Sequence, residues 1–237
     1  MRASEVDALL AKLRTIASDT VALLAGHPVI QAWLAGTLDR DRSFALQAQI
    51  YHQVAQTVPL LQRSAATCTA LAANEPMYAV LAAHYTEHAH EESQPAPHEQ
   101  LLLERLRRQG FPVDQLPPPF PPLQKALEQA WWAADRTPLY ELGRAWVKEV
   151  VSQYMSGRVA YVSTAAGPGG AGEAADFFDV HATADPGHSA ENARILRELS
   201  RYPIFAEKAA AVLAGAADAY EQTRGSLEYL NALSRRS

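Results

Sequence analysis

Apolar residues return every three or four positions through nearly the whole of this chain, and that rhythm limits what it can fold into. Near the amino end Val6, Leu9, Leu10, Leu13, Ile16, Ala17, Val21 and Leu24 show it plainly. At about 100° per residue these side chains fall on one helical face. No stretch alternates at period two for long enough to make a strand. The sequence therefore predicts an all-α protein, a bundle of about seven helices. Spacing places them over 5–25, from about 41 to 71 with a kink at Pro59, and from Glu75-Pro76 into an unusual segment at 84–98. Others follow over 123–132, 140–162, 174–200 and 204–233. Gly26-His27-Pro28, the proline-rich run at 116–122 and Tyr202-Pro203 are the expected breaks. The glycine-rich run from Gly167 to Gly172 reads as a loop, and it lacks the preceding strand that a phosphate cradle requires. No long linker interrupts the pattern, so residues 1–237 read as one domain.

Charge and cysteine usage remove several functions. A formal charge of −5, with 21 Lys and Arg scattered among 26 Asp and Glu, is unsuited to nucleic acid. The densest basic group, Arg105, Arg107 and Arg108, falls at an expected helix end, where cations suit the carbonyl dipole. Cys68 is the sole cysteine, so there is neither an internal disulfide nor a thiolate zinc site. Set among Ala65, Thr67 and Ala70, it reads as a small buried hydrophobe. The amino terminus lacks the apolar core of a signal peptide, and no apolar run approaches the ~20 residues of a membrane span. The expectation is a cytoplasmic protein with no membrane partner.

Histidines and carboxylates are distributed unevenly. His181, Asp185 and His188 stand at i, i+4 and i+7, which puts them within an arc of roughly 60° on one helix. Two imidazoles and a carboxylate suit non-haem iron(II) and leave coordination positions open. The same spacing also fits a solvated face that happens to carry two histidines. The segment from His84 to His98 holds four of the eight histidines and the glutamates Glu87, Glu91 and Glu92. His84, Glu87 and Glu91 share one stripe of it, while His88 and Glu92 share a neighbouring one. Glu149 sits between apolar residues, with Ala145, Trp146 and Gln153 on its face. A buried glutamate needs a partner, and either a metal or a nearby Lys148 or Arg144 would serve.

In this order the residues resemble the haem-oxygenase-like di-iron oxidases. The resemblance covers nearly the whole chain and rests on the Glu-x6-His pair Glu91 and His98, on Glu149, and on His-x3-Asp-x2-His at His181, Asp185 and His188. His27-Pro28-Val29-Ile30, Trp33 to Leu38, Tyr51, and the run from His98 to Leu103 ahead of Gly110 add to it. It implies a single haem-oxygenase-like domain with six iron ligands: Glu91, His98, Glu149, His181, Asp185 and His188. It further implies two Fe(II) per chain, O2 as co-substrate, and a homodimer. The activity implied is oxidation of a small molecule such as an amino acid, an amine or a fatty acid, by N-oxygenation, C–C cleavage or desaturation.

Some expectations stay open at this level. Pro186 follows Asp185 directly and predicts a kinked or loosened helix at 181–188. Glu92 competes with Glu91 for the first ligand position, and Glu87 with His90 offers another arrangement. Tyr51, Tyr85, Trp146, Tyr154 and Tyr161 are candidate pocket walls, and Arg144 and Arg158 are unranked candidates for holding substrate charge. Two other functions fit the same scaffold. One is a metal-free, thiaminase-like hydrolase, which needs a catalytic thiol or a Glu–Tyr arrangement. The other is a non-catalytic helical module that sequesters metal.

Overall fold

The structure is a computed structural model of the chain. It describes residues 1–94, 96–165 and 177–233, with the side chains at 160–165 and 183–186 left aside. Tyr161, the Gly167–Gly172 run and the Asp185 side chain therefore lie outside the described residues. Everything described is helix, turn or loop, so the all-α expectation holds.

The helices are α1 (Ala3–Gly26), α2 (Pro28–Leu34), α3 (Arg40–Val54), α4 (Thr57–Ala72), α5 (Met77–Glu91) and α6 (His98–Arg108). They continue with α7 (Pro121–Arg136), α8 (Leu139–Ala165), α9 (Phe177–Leu199), α10 (Phe205–Lys208) and α11 (Ala210–Leu233). No described helix is long and apolar enough to cross a membrane.

Eleven segments replace the expected seven for identifiable reasons. The predicted helix over 41–71 is two helices that meet at Ala55-Gln56. Pro59 does not kink a continuous helix; it sits in the first turn of α4, where its missing N–H costs nothing. The 84–98 segment likewise divides after Glu92, because His98 opens a separate helix behind Pro97. Pro28 opens the short α2 immediately after α1 ends at Gly26. In contrast, α9 runs on across Pro186 rather than breaking there.

The main core lies where α1, α5, α8, α9 and α11 meet. Leu10, Leu13, Leu81, Tyr85, Leu142, Leu196 and Val212 are buried in it. Burying such side chains stabilises the fold by about 1.5–3 kcal/mol each. The Tyr85 hydroxyl donates to the Pro138 carbonyl at 2.6 Å, so α5 is tied to the start of α8. Two glycines let α8 and α11 touch. A Cβ on Gly143 would overlap the carbonyl oxygen of Val212, and one on Gly215 would overlap that of Tyr140. That close approach fixes the helix that carries Glu149.

Candidate metal centre

Four helices bring histidines and carboxylates together inside the bundle. The last turn of α5 contributes His88, and Glu92 caps its end. His98 opens α6, Glu149 comes from α8, and His181 and His188 come from α9. Two groups result, each with its donor atoms within 4.8 Å of one another: His88, Glu92, Glu149 and His188, and then Glu92, His98 and His181. Glu92 belongs to both.

Its two oxygens point to different groups. Oε2 lies 2.7 Å from His98 Nδ1, whereas Oε1 lies 3.4 Å from His88 Nε2. Glu149 is the counterpart on α8: Oε1 stands 3.4 Å from His88 Nε2 and Oε2 stands 3.2 Å from His188 Nδ1. The His88 and His188 rings are 4.8 Å apart between centroids, and those of His98 and His181 are 4.6 Å apart.

Backbone carbonyls set the direction of two imidazoles. His181 Nδ1 donates to the Phe177 carbonyl at 2.9 Å, which leaves Nε2 as the lone-pair nitrogen. His98 is held the other way round. Its Nε2 donates to the Gln94 carbonyl at 3.0 Å, leaving Nδ1 toward Glu92. Partners of this kind commonly orient metal-binding histidines.

The ionisation of the cluster is governed by burial against charge. Burial opposes protonation of His88, but Glu149 and Glu92 outweigh it and lift the imidazole to about 10. For Glu149, burial favours the neutral acid, yet His188 and His88 hold the carboxyl below its ordinary range. Glu92 is lowered in the same way by His88 and His98. His181 goes down, chiefly through burial, while His98 and His188 go up because their glutamates overcome it. Without a cation other than protons, the site holds protonated imidazole between carboxylates.

The donor set fits a metal. Both ring nitrogens of His88 are buried and form no hydrogen bond among the described residues, although two carboxylate oxygens stand 3.4 Å from Nε2. That separation is too long for a good hydrogen bond and leaves the histidine unsatisfied. A cation held jointly by Nε2 and these carboxylate oxygens would satisfy them. Imidazole and carboxylate without thiolate suit iron and similar divalent metals.

Of the sequence-predicted ligands, His98, Glu149, His181 and His188 are gathered in these groups. Glu91 is exposed at the rim, where its Oε2 approaches His188 Nε2 at 3.2 Å, and it is in neither group. Glu92 occupies the interior position that sequence reasoning weighed and set second. His88 was not among the sequence-predicted ligands but lies in the first group, and its i, i+4 spacing to Glu92 was a signal for that. Glu149 forms an ion pair with neither Arg144 nor Lys148, facing His88 and His188 instead. Arg144 is taken by Glu141 through two 2.6 Å contacts, both residues being buried.

A cavity of about 200 Å³ adjoins the cluster from within, bordered by His88, Glu92, Glu149 and His181. Its remaining wall is mostly apolar, with Leu24, Ile30, Trp33, Ile50 and Phe178 prominent. Of the aromatic residues expected as pocket walls, Tyr85 and Trp146 are buried in the main core instead. A second depression of about 820 Å³ reaches the cluster from solvent and is lined by His84, Glu87, His88, Glu91, His188 and Asn192 among others. Cys68 is fully buried in the core, and burial pushes its thiol up to about 12.

Such a helical bundle, with a His/Glu cluster at its centre, has a haem-oxygenase-like fold. The comparison with solved structures shows it: the chain resembles a domain of unknown function with that fold from Shewanella denitrificans, with a TM-score of 0.74 at 18% identity. That match covers 99% of this chain and 94% of the other. It also resembles a CADD-like protein of unknown function from Nostoc punctiforme, with a TM-score of 0.70 at 18% identity, covering 99% and 98% of the two chains. No model of a known protein family matches the chain, and no curated protein does.

Proposed function

We propose that this protein is a non-haem di-iron enzyme that activates O2 to oxidise a small substrate, an amino acid or amine above all. The observation that carries the proposal is Glu92, shared by two buried His/Glu groups beside an apolar cavity. His88, Glu92, Glu149 and His188 would hold one iron, and Glu92, His98 and His181 the other. Asp185, from the family resemblance, is the proposed completing ligand of the second site, and Glu91 is a rim carboxylate able to reach the first through His188. Iron(II) held in such a ligand set would supply part of the electrons that O2 reduction needs, the substrate being the source of the rest. The mostly apolar wall would suit an apolar substrate body beside the metal. Specialised biosynthesis in the cytoplasm, by a homodimer, is the setting proposed for it.

The two rival functions receive less support. Cys68 has neither the exposure nor the thiolate character of a nucleophile, which weighs against a thiol-dependent hydrolase. A module that merely stores metal has no use for a mostly apolar cavity beside it.

The test is anaerobic reconstitution with iron(II), a count of bound metal, and then O2 uptake across amino acids, amines and fatty acids. Two irons per chain and substrate-accelerated O2 consumption are expected. Absence of specific iron binding would overturn the proposal.

A further inference from the structure

Lys148 occupies an unusual position. It follows Glu149 by one step toward the amino end of α8 and lines the same cavity. Its Nζ is buried and has no hydrogen-bond partner among the described residues, and burial holds the amine well below its ordinary range. The neighbouring charges are already engaged: Arg144 is spent on Glu141, and Glu149 faces His88 and His188. Arg158, the other cation weighed from sequence, stacks on the Tyr154 ring at 5.0 Å and does not border the cavity.

The other polar groups of the wall divide into spent and unspent. Gln49 is bonded to the backbone at Phe120 and Pro118, and Gln53 accepts from Gln222 at 2.8 Å. The hydroxyls of Ser156 and Ser226 are buried without partners, like Lys148. An unsatisfied buried amine is costly, and a leucine or methionine would fill its space without that cost. A hydrogen-bond acceptor brought into the cavity would satisfy Lys148.

We infer that Lys148 is the anchor for the carboxylate of a substrate whose remaining body is apolar. A carboxylate is an acceptor with two oxygens, so it can take the Lys148 amine and a serine hydroxyl together. A dianion such as a phosphate would need further unspent donors, and Arg144 is held by Glu141. The apolar body has Leu24, Ile30, Trp33, Leu46, Ile50 and Phe178 to lie against. The inference rests on the di-iron reading for the cavity's catalytic role, and it narrows that reading: among amino acids and amines, the substrate is one that carries an acid.

The experiment is calorimetric titration of the full-length protein with 4-phenylbutanoate, 4-phenylbutan-1-ol and 4-phenylbutylamine, before and after iron is chelated. The acid should bind at least about tenfold more tightly than the alcohol or the amine, as expected for a charged hydrogen bond. Lys148→Met should erase that preference and leave alcohol affinity and iron content unchanged, with a melting temperature no lower than the parent's. Lys148→Gln provides the polar control and should lose the acid preference as well. Retention of the preference in both variants would overturn the inference, as would its absence in the parent protein. If chelation removes the preference while Lys148→Met keeps it, the head group binds at the metal: the anchor fails and the di-iron reading stands.

Discussion

Glu92 reaches His98 across the break between α5 and α6, with Oε2 2.7 Å from Nδ1, and turns its other oxygen toward His88 on the preceding turn. One carboxylate thus belongs to both halves of the proposed centre. Glu92→Gln should lower iron content at both sites, whereas Glu91→Gln should cost far less metal. Metal analysis after reconstitution measures this directly, and the reverse order would make Glu91 the interior ligand.

The two groups should also be separable by histidine. His98→Ala and His181→Ala remove donors from one group, and His88→Ala and His188→Ala from the other. Each pair should leave residual iron in the intact group while abolishing O2 consumption. Far-ultraviolet circular dichroism should show helix content mostly intact. Full activity in His181→Ala and His188→Ala would sink the site.

The metal-free protein should have a stability that falls toward both ends of the pH scale. His88 is raised from an ordinary 6.5 to about 10, so its contribution is full below 6.5 and is lost as pH climbs through about 10. Glu149 and Glu92 are lowered, so theirs is full above the ordinary carboxylate range and is lost on acidification. Thermal melts of chelated protein across pH read both limbs, and a His88→Phe variant should flatten the alkaline one. Because iron must displace these protons, its affinity should rise with pH.

Gly143→Ala should be among the most harmful single-atom additions in the chain. The new methyl meets the Val212 carbonyl, a backbone group that cannot step aside. A loss of about 1–3 kcal/mol or more is expected in urea melts. Gly157→Ala, on the same helix with open space around it, should be neutral or stabilising by up to about 1 kcal/mol.

Cys68→Ala should keep iron binding and O2 consumption. A stability loss of about 1–2 kcal/mol is expected from the small void it leaves. A large catalytic loss with the fold intact would revive the thiol-dependent hydrolase.

The helical class was legible because burial imposes its period on every long element, and α1 and α11 fall close to where the spacing places them. His98 came from the resemblance through its Glu-x6-His spacing, whereas Glu149, His181 and His188 were legible for a related reason: histidines and an acid in apolar surroundings need partners. The choice between Glu91 and Glu92 was not. Adjacent residues on a helix differ by about 100°, so the inward one depends on where the last turn of α5 stops. His88 was obscured in the same turn, among residues that cannot all face one way. The division between α3 and α4 was hidden because Pro59 reads alike as a kink and as a first-turn residue.

His88 borders both the internal cavity and the solvent-facing depression. The imidazole–carboxylate cluster therefore stands as a shared wall between two depressions, each lined mainly by apolar surface. The side of Glu91 and His188 offers one approach to the proposed centre, and the side of Leu24, Ile30 and Trp33 offers another.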